Sequence, residues 1–339
     1  VIRTRHALLP VLLALSLTAC GSAAGSSRTG ASEVTELRYQ GSVGAVTFPE
    51  LAQALGYLGD VKLKWVGNTI SGPQDIQSAA TGQTDFGGAF NGAIVKLKAA
   101  GAPIKAVVGY YGSDEGSYIG YFVADGSPIK GPRDLIGKKI GVNTLGAHLE
   151  AVLKEYLKRG GLTPQEIEKV ELVVVPPVNT EQALRQGQID VAALSGILRD
   201  KALERGGIKP LFKDIDLFGS FTAGSVVLTE KFIEQNPKTT ATFVGAFAKA
   251  VEWTQTHSRE EVVAKYKEII AARGRNEDAT TVEFWKSSGI SGKGGVIADK
   301  EFTTWVDWLE REGEIKPGQV RVSDLYTNEF NPFAKGSAS

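Results

Sequence analysis

Few side chains in this sequence could make or break bonds. Its 339 residues hold one cysteine, Cys20, and three histidines, His6, His148 and His257. A single thiol excludes an intramolecular disulfide, a CxxC redox pair and a cysteine-based zinc site. No two histidines stand at a metal-ligating interval such as HExxH. Asp114 and Glu115 form an acidic pair in a Gly/Ser-rich loop. They could meet an amine, but exposed loop acids are usually solvated, and that is the expectation here. The chemistry left is hydrogen-bonded recognition, so the sequence predicts a non-catalytic protein without metal or cofactor. Lys plus Arg number 38 and Asp plus Glu 38, giving zero formal charge. With no basic excess or stripe, a nucleic-acid partner is not expected.

The elements that must position such groups are legible from an internal repeat. Hydrophobic residues make up 42% of the chain and charged residues 22%, the balance of a folded globular protein. The length suggests two domains or lobes. Leu37–Ser42 reads as a strand running into a glycine turn, followed by an apolar helical stretch from Phe48 to Tyr57. Lys139–Gly146 reads the same way, with a helix over about 147–157. Second strands follow at Val61–Val66 and Val170–Val175, then short helices ending at Gly82-Gln83-Thr84-Asp85 and Gly187-Gln188-Ile189-Asp190. Ile104-Lys105 and Ile208-Lys209 keep nearly the same phase.

Each copy is therefore strand–helix–strand–helix–strand, with glycine where a helix end needs positive φ. Asp85 and Asp190, at matching positions, are expected to cap backbone. Alternating strands and helices imply mainly parallel sheets covered on both faces. Ligands bind such sheets at the carboxyl ends of the strands, where helix N-termini point. Capping boxes start helices at Thr163 and Ser258. Segments 238–257, 259–272 and 299–312 carry helical periodicity, with Trp305 and Trp308 on apolar stripes as packing residues.

Arg3 and Arg5 precede an apolar run over Ala7–Leu15 that is too short to span a bilayer, the pattern of a secretory signal. Leu17-Thr18-Ala19-Cys20-Gly21 resembles the bacterial lipoprotein cleavage box. That resemblance implies a signal peptide over residues 1–19, lipid attachment at Cys20 and an extracytoplasmic, membrane-anchored protein. The small, polar residues that follow suit a flexible tether over 20–33.

The blocks Tyr39–Ser42, Ser71-Gly72-Pro73-Gln74, Gly82–Gly87, Ser127-Pro128-Ile129-Lys130, Asp134–Lys139 and Asp324–Phe330 resemble those of periplasmic solute-binding proteins. The resemblance is nearest to the aliphatic sulfonate, taurine and nitrate binders of ABC importers. It implies an α/β, two-lobed Venus-flytrap fold of type II. Lobe I would hold 34–122 and 222–333, and lobe II 123–221, with the two crossings as hinge. It also implies a monomeric receptor for a small organic anion, with a membrane permease and an ATPase as partners. An enzyme on the same architecture, as in pyrimidine-precursor synthases, would need reactive His or Cys in the cleft. A sensor module would need a signalling partner.

The family's ligand contacts carry over to five turns. The first gives Gln40, Gly41 and Ser42, and the second Ser71 and Gly72. Amides, hydroxyls and free backbone N–H groups at helix N-termini suit an anion without lysine or arginine. The third turn places Phe90 and Asn91 where the family usually has Gly and Asp. The fourth gives Gly146 and Ala147, whose N–H groups would hold an oxyanion, and His148 as a hydrogen-bond donor. The fifth departs most: Ala192, Ser195 and Gly196 replace the Trp residues and Asp of sulfonate binders. That leaves Ser195 in a roomier, more neutral pocket unless Phe90, Tyr110 or Tyr111 fills it. A larger aromatic or pyrimidine-type metabolite is then the alternative ligand.

Overall fold

The computed structural model describes residues 32–334. The expected signal segment, Cys20 and most of the tether lie outside the described residues.

The first repeat runs β1 (Glu36–Gly41), α1 (Phe48–Ala54), β2 (Lys62–Asn68), α2 (Gly72–Ala80), β3 (Gly87–Phe90), α3 (Asn91–Ala99) and β4 (Ile104–Ser113). The chain then crosses to β5 (Ile119–Ala124) and enters the second repeat. This comprises β6 (Lys139–Val142), α4 (His148–Arg159), α5 (Pro164–Ile167), β7 (Glu171–Val174), α6 (Pro177–Arg185), β8 (Val191–Ser195), α7 (Gly196–Glu204) and β9 (Ile208–Lys213). A short α8 (Ile215–Phe218) leads back through β10 (Phe221–Thr229). The remainder is helical: α9 (Glu230–Gln235), α10 (Pro237–Thr256), α11 (Arg259–Ala272), α12 (Lys300–Arg311) and α13 (Val322–Leu325).

The duplication is visible in the strand order. The second repeat forms one sheet, β7-β6-β8-β5-β9, while the first forms β1-β2 and β3-β10-β4 as separate sheets. In each, the strand beside the third repeat strand comes from a crossing: β5 in one, β10 in the other. Both crossing strands run antiparallel to their neighbours, whereas β1-β2, β6-β7 and β6-β8 are parallel. The sheets are thus mixed, and the expected parallel order is confined to the repeat itself. A strand that returns from the other half arrives without a crossover helix and so enters against the grain. The expected boundary at 122/123 falls inside β5, and the chain changes sheets over 114–118 and 214–220.

Local signals explain the framework. Thr47, Thr163 and Ser258 each close a reciprocal cap with a glutamate three residues on, starting α1, α5 and α11. Asp85 and Asp190 do the same job in each copy. Asp85 accepts from the Arg38 N–H at 2.6 Å, and Asp190 from the Lys139 N–H at 2.8 Å, pinning the starts of β1 and β6. Gly82 and Gly187 end α2 and α6 at φ of 75° and 68°, which a side chain would resist.

Apolar residues from α1, α10 and α11, including Leu51, Phe243, Phe247 and Val262, form one core of the first half. Ile76, Ile94, Phe302 and Trp305 from α2, α3 and α12 form the other. Along β5, Tyr121 and Val123 pack on the α4 side while Phe122 packs with Leu184 and Ala202, so both faces of that sheet are covered. Trp305 and Trp308 are packing residues, each buried.

Candidate ligand-binding cleft

A cavity of about 630 Å³ opens between the two repeats at the carboxyl ends of their strands. Gln40, Ser42, Ser71, Gly72, Phe90, Ala147, His148 and Ser195 all line it. Three other residues expected at the site do not. Gly41 packs instead against Arg275 and Asn68, whose side chains would lie 3.2 Å from an added Cβ. Asn91 is fully buried; it accepts from the Ser225 hydroxyl at 2.8 Å and donates to the Glu301 carbonyl at 3.2 Å. Its amide ties α3 to β10 and α12. Gly146 donates its N–H to Glu150 at 2.8 Å, so that group is already engaged within the first turn of α4.

Ser71 sits at the N-cap of α2 in an extended conformation, yet its side chain makes no cap bond. Thr69 does the local work instead, exchanging hydrogen bonds with the Ser71 backbone at 3.1 and 3.2 Å. The Ser71 hydroxyl is left to the cavity. Gly72 is required by contact, because a Cβ there would lie 3.0 Å from the Cα of Ala89. Ser195 caps α7 in the same way, without a side-chain bond.

His148 is only 6% exposed. Its ring stacks on Phe90 at 4.6 Å and 9°, and its Nδ1 lies 3.3 Å from the Tyr111 hydroxyl. Burial lowers its pKa to about 3, so the ring is neutral, and its Nε2 has no partner. The Phe90 ring is held edge-on by Trp305 at 4.4 Å. Aromatic walls thus come from Phe90, Tyr110 and Tyr111, joined by Tyr118 and Trp285.

Asp75 was not anticipated. It lies in the first turn of α2, on the helix face that also buries Ile76 and Ala79, and lines the cavity at 9% exposure. One carboxylate oxygen accepts from the Gly88 N–H at 2.7 Å; the other, Oδ1, has no partner. Burial raises its pKa to about 7, against the opposing pull of the Gly88 N–H. The signal in the sequence was a charged residue on an otherwise small and apolar helix face.

Opposite it, Gly196, Ile197 and Leu198 at the start of α7 line the cavity together with Lys286. Lys286 lies 3.2 Å from Asp200, which Arg199 also grips at 2.8 Å. Arg199 in turn donates to the carbonyls of Gly116 and Tyr118, fixing the first crossing. Asp114 is not a solvated acid: it accepts from the N–H groups of Gly116 and Ser117 and from the Ser287 hydroxyl. Across the mouth, the Asn143 amide donates to the Ile70 carbonyl at 3.1 Å. No group of three or more His, Cys, Asp or Glu able to hold a metal occurs among the described residues.

The family model described as "NMT1/THI5 like" matches residues 50–261, more than half of the chain. The chain belongs to this family. Among curated proteins, it is 27% identical over 233 residues to the "Putative aliphatic sulfonates-binding protein" of Escherichia coli (strain K12), covering 68% of this chain and 70% of that one. Among solved structures it resembles the alkanesulfonate-binding protein SsuA from Xanthomonas axonopodis pv. citri bound to MOPS. That likeness has a TM-score of 0.67 at 20% identity, covering 88% of this chain and 99% of the other. It also resembles the desulfurization enzyme DSZB, with a TM-score of 0.58 at 17% identity over 88% of this chain and 97% of the other. This NMT1/THI5-like chain therefore has the two-lobed, type II periplasmic-binding-protein fold expected from its sequence. At such identities the structural likenesses speak to fold alone.

Proposed function

We propose that this protein is the extracytoplasmic solute receptor of an ABC importer, closing its lobes around a small organic acid that it releases unaltered. The observation that carries this reading is the cavity itself: turns from both repeats converge on about 630 Å³ bounded by hydroxyls, helix starts and aromatic rings. The ligand's acid group would meet the first turn of α7, where Ser195 leaves its hydroxyl free and Lys286 adds positive charge. The name of the Escherichia coli relative supports a sulfonate-type acid. A second reading, a larger aromatic or pyrimidine-type metabolite, is favoured by the rings of Phe90, Tyr110, Tyr111 and Trp285 around the same space.

The lobes would divide where the chain changes sheets, at 114–118 and 214–220, and these two crossings would act as the hinge. Asp214 joins the two crossings by accepting from the Ser113 hydroxyl and from the Ile119 N–H. Lipid at Cys20 would hold the monomer on the outer face of the membrane beside its permease and ATPase. Against an enzymatic role, His148 is buried and neutral, its ring stacked on Phe90 and its Nδ1 beside the Tyr111 hydroxyl.

A ligand that binds both lobes shifts the open–closed equilibrium by its differential affinity for the two states. A thermal-shift screen of sulfonates, sulfate esters, nitrate, aromatic carboxylates and pyrimidines identifies the class that stabilises the protein. Small-angle scattering then measures closure with that compound. A fall in the radius of gyration at saturation is expected, and an unchanged radius would refute lobe closure.

A further inference from the structure

The polar groups of the cavity are divided between its two ends. At the α7 end, Arg199 and Lys286 both pair with the carboxylate of Asp200. The α2 end holds acceptors. Asp75 Oδ1 and Gln40 Oε1 are both buried, and neither has a hydrogen-bond partner. Lys286 is the one lysine or arginine among the cavity-lining residues, and it lies against Asp200.

The backbone explains why Asp75 is there. In the second repeat, β6 and β8 pair directly, with Ile140 opposite Val191. In the first, the equivalent strands start alike, with the Asp85 N–H bonded to the Arg38 carbonyl, and then part into separate sheets. On the open side of β3 the Gly88 N–H goes to Asp75 instead of to a strand. Gly88 admits the Tyr110 ring closely, since a Cβ there would sit 2.8 Å from Tyr110 Cζ. The carboxyl group is thereby fixed beside the cavity, with one oxygen bonded to Gly88 and the other buried without a partner.

A buried carboxylate with an unfilled acceptor and no counter-charge is costly. A ligand anion at α2 would add a second negative charge in a poorly solvated site, whereas a ligand nitrogen would supply both a donor and an opposite charge. We propose that Asp75 is a specificity-determining residue of the cleft, accepting an N–H from an ammonium or amidinium group on the ligand, with the Gln40 side-chain oxygen as a second acceptor. The preferred ligand is then an organic molecule with a basic nitrogen at its α2 end, and not a simple anion. This rests on the cleft being a solute site, as proposed above. Burial already holds the Asp75 carboxyl near neutrality, so an adjoining cation would fix it in the charged form.

Matched probes test this with the purified protein. 4-(Aminomethyl)benzenesulfonate is compared with 4-methylbenzenesulfonate, and 4-(aminomethyl)benzoate with 4-methylbenzoate, by titration calorimetry. A charge-assisted hydrogen bond contributes enough to make the aminated member bind about tenfold tighter or more. Asp75→Asn keeps an acceptor for Gly88 and should bring the ratio within each pair to about one. Equal binding of both members to the wild-type protein, or a ratio that survives in Asp75→Asn, would overturn the inference while leaving the cleft a binding site. Failure of all four probes to bind would count against the cleft reading itself, and this inference would fall with it.

Discussion

The unpartnered carboxyl of Asp75 makes a measurable prediction about stability in the absence of any ligand. Its pKa is raised from 3.8 to about 7 by burial. A raised carboxyl pKa means that the folded state holds the proton more tightly than the unfolded chain does. Its contribution to stability is fully present below pH 3.8 and is lost as the pH rises through 7. That difference corresponds to about 4 kcal/mol in total, of which roughly 2–3 kcal/mol is lost between pH 5 and pH 8. Asp75→Asn resembles the protonated acid and can keep the Gly88 hydrogen bond, so it lacks this dependence. Asp214, whose carboxyl is raised to about 6 by burial, gives a slope of its own, but that slope is common to both proteins and cancels in the difference. Urea unfolding at pH 5, 6.5 and 8 should therefore show Asp75→Asn gaining on the wild type by roughly 2–3 kcal/mol across the range. Parallel stability curves would refute the reasoning, because they would mean that Asp75 ionises in the fold as easily as in water.

Four further outcomes follow from the geometry. Asp214→Ala removes the acceptor shared by Ser113 and Ile119 and should cost about 1–3 kcal/mol, measured by urea unfolding at pH 5, where the wild-type carboxyl is largely neutral. Gly224→Ala should destabilise by about 1–3 kcal/mol and displace Tyr111, whose Cε1 lies 2.0 Å from where the new Cβ would stand. Gly245→Ala, in the middle of α10 with nothing within 4 Å, should instead stabilise by about 0.5–1 kcal/mol. Both are read from the shift in urea midpoint. Ser71→Ala should leave stability within about 0.5 kcal/mol, because Ser71 makes no cap bond, yet weaken binding of the ligand found by screening by about 1–3 kcal/mol. Calorimetry showing wild-type affinity would remove Ser71 from the site.

Much of the fold was written locally. The two copies could be aligned because Gly82 and Gly187 end helices where positive φ is needed, and because Asp85 and Asp190 cap the strands that open each repeat. The capping boxes at Thr163 and Ser258 start helices as read, and that at Thr47 obeys the same rule. Strand direction was another matter. β5 and β10 carry no local mark of running antiparallel; their sense depends on where the chain crosses between halves, more than a hundred residues apart in sequence. The parting of β1 from β3 is equally invisible in a repeat read copy against copy.

The site was legible where a residue's role is fixed by its backbone position, and obscure where tertiary direction decides. Ser71 and Ser195 precede helices whose starts are evident, and both reach the cavity. Asn91 also opens a helix, but β10 and α12 pack against its side and take its amide, a competition no local pattern reveals. Asp75 illustrates the reverse. An acid in the first turn of a helix is ordinarily read as a favourable partner of the helix dipole at the surface. What distinguishes this one is its phase, on the stripe with Ile76 and Ala79 that must face inward. A charge on a buried stripe must find a partner inside, and here the fold supplies one N–H from Gly88 and leaves the second oxygen without one. The unmet valence of Asp75 is thus a consequence of helix phase and sheet separation together, and it is the point at which the molecule departs from a neutral anion cradle.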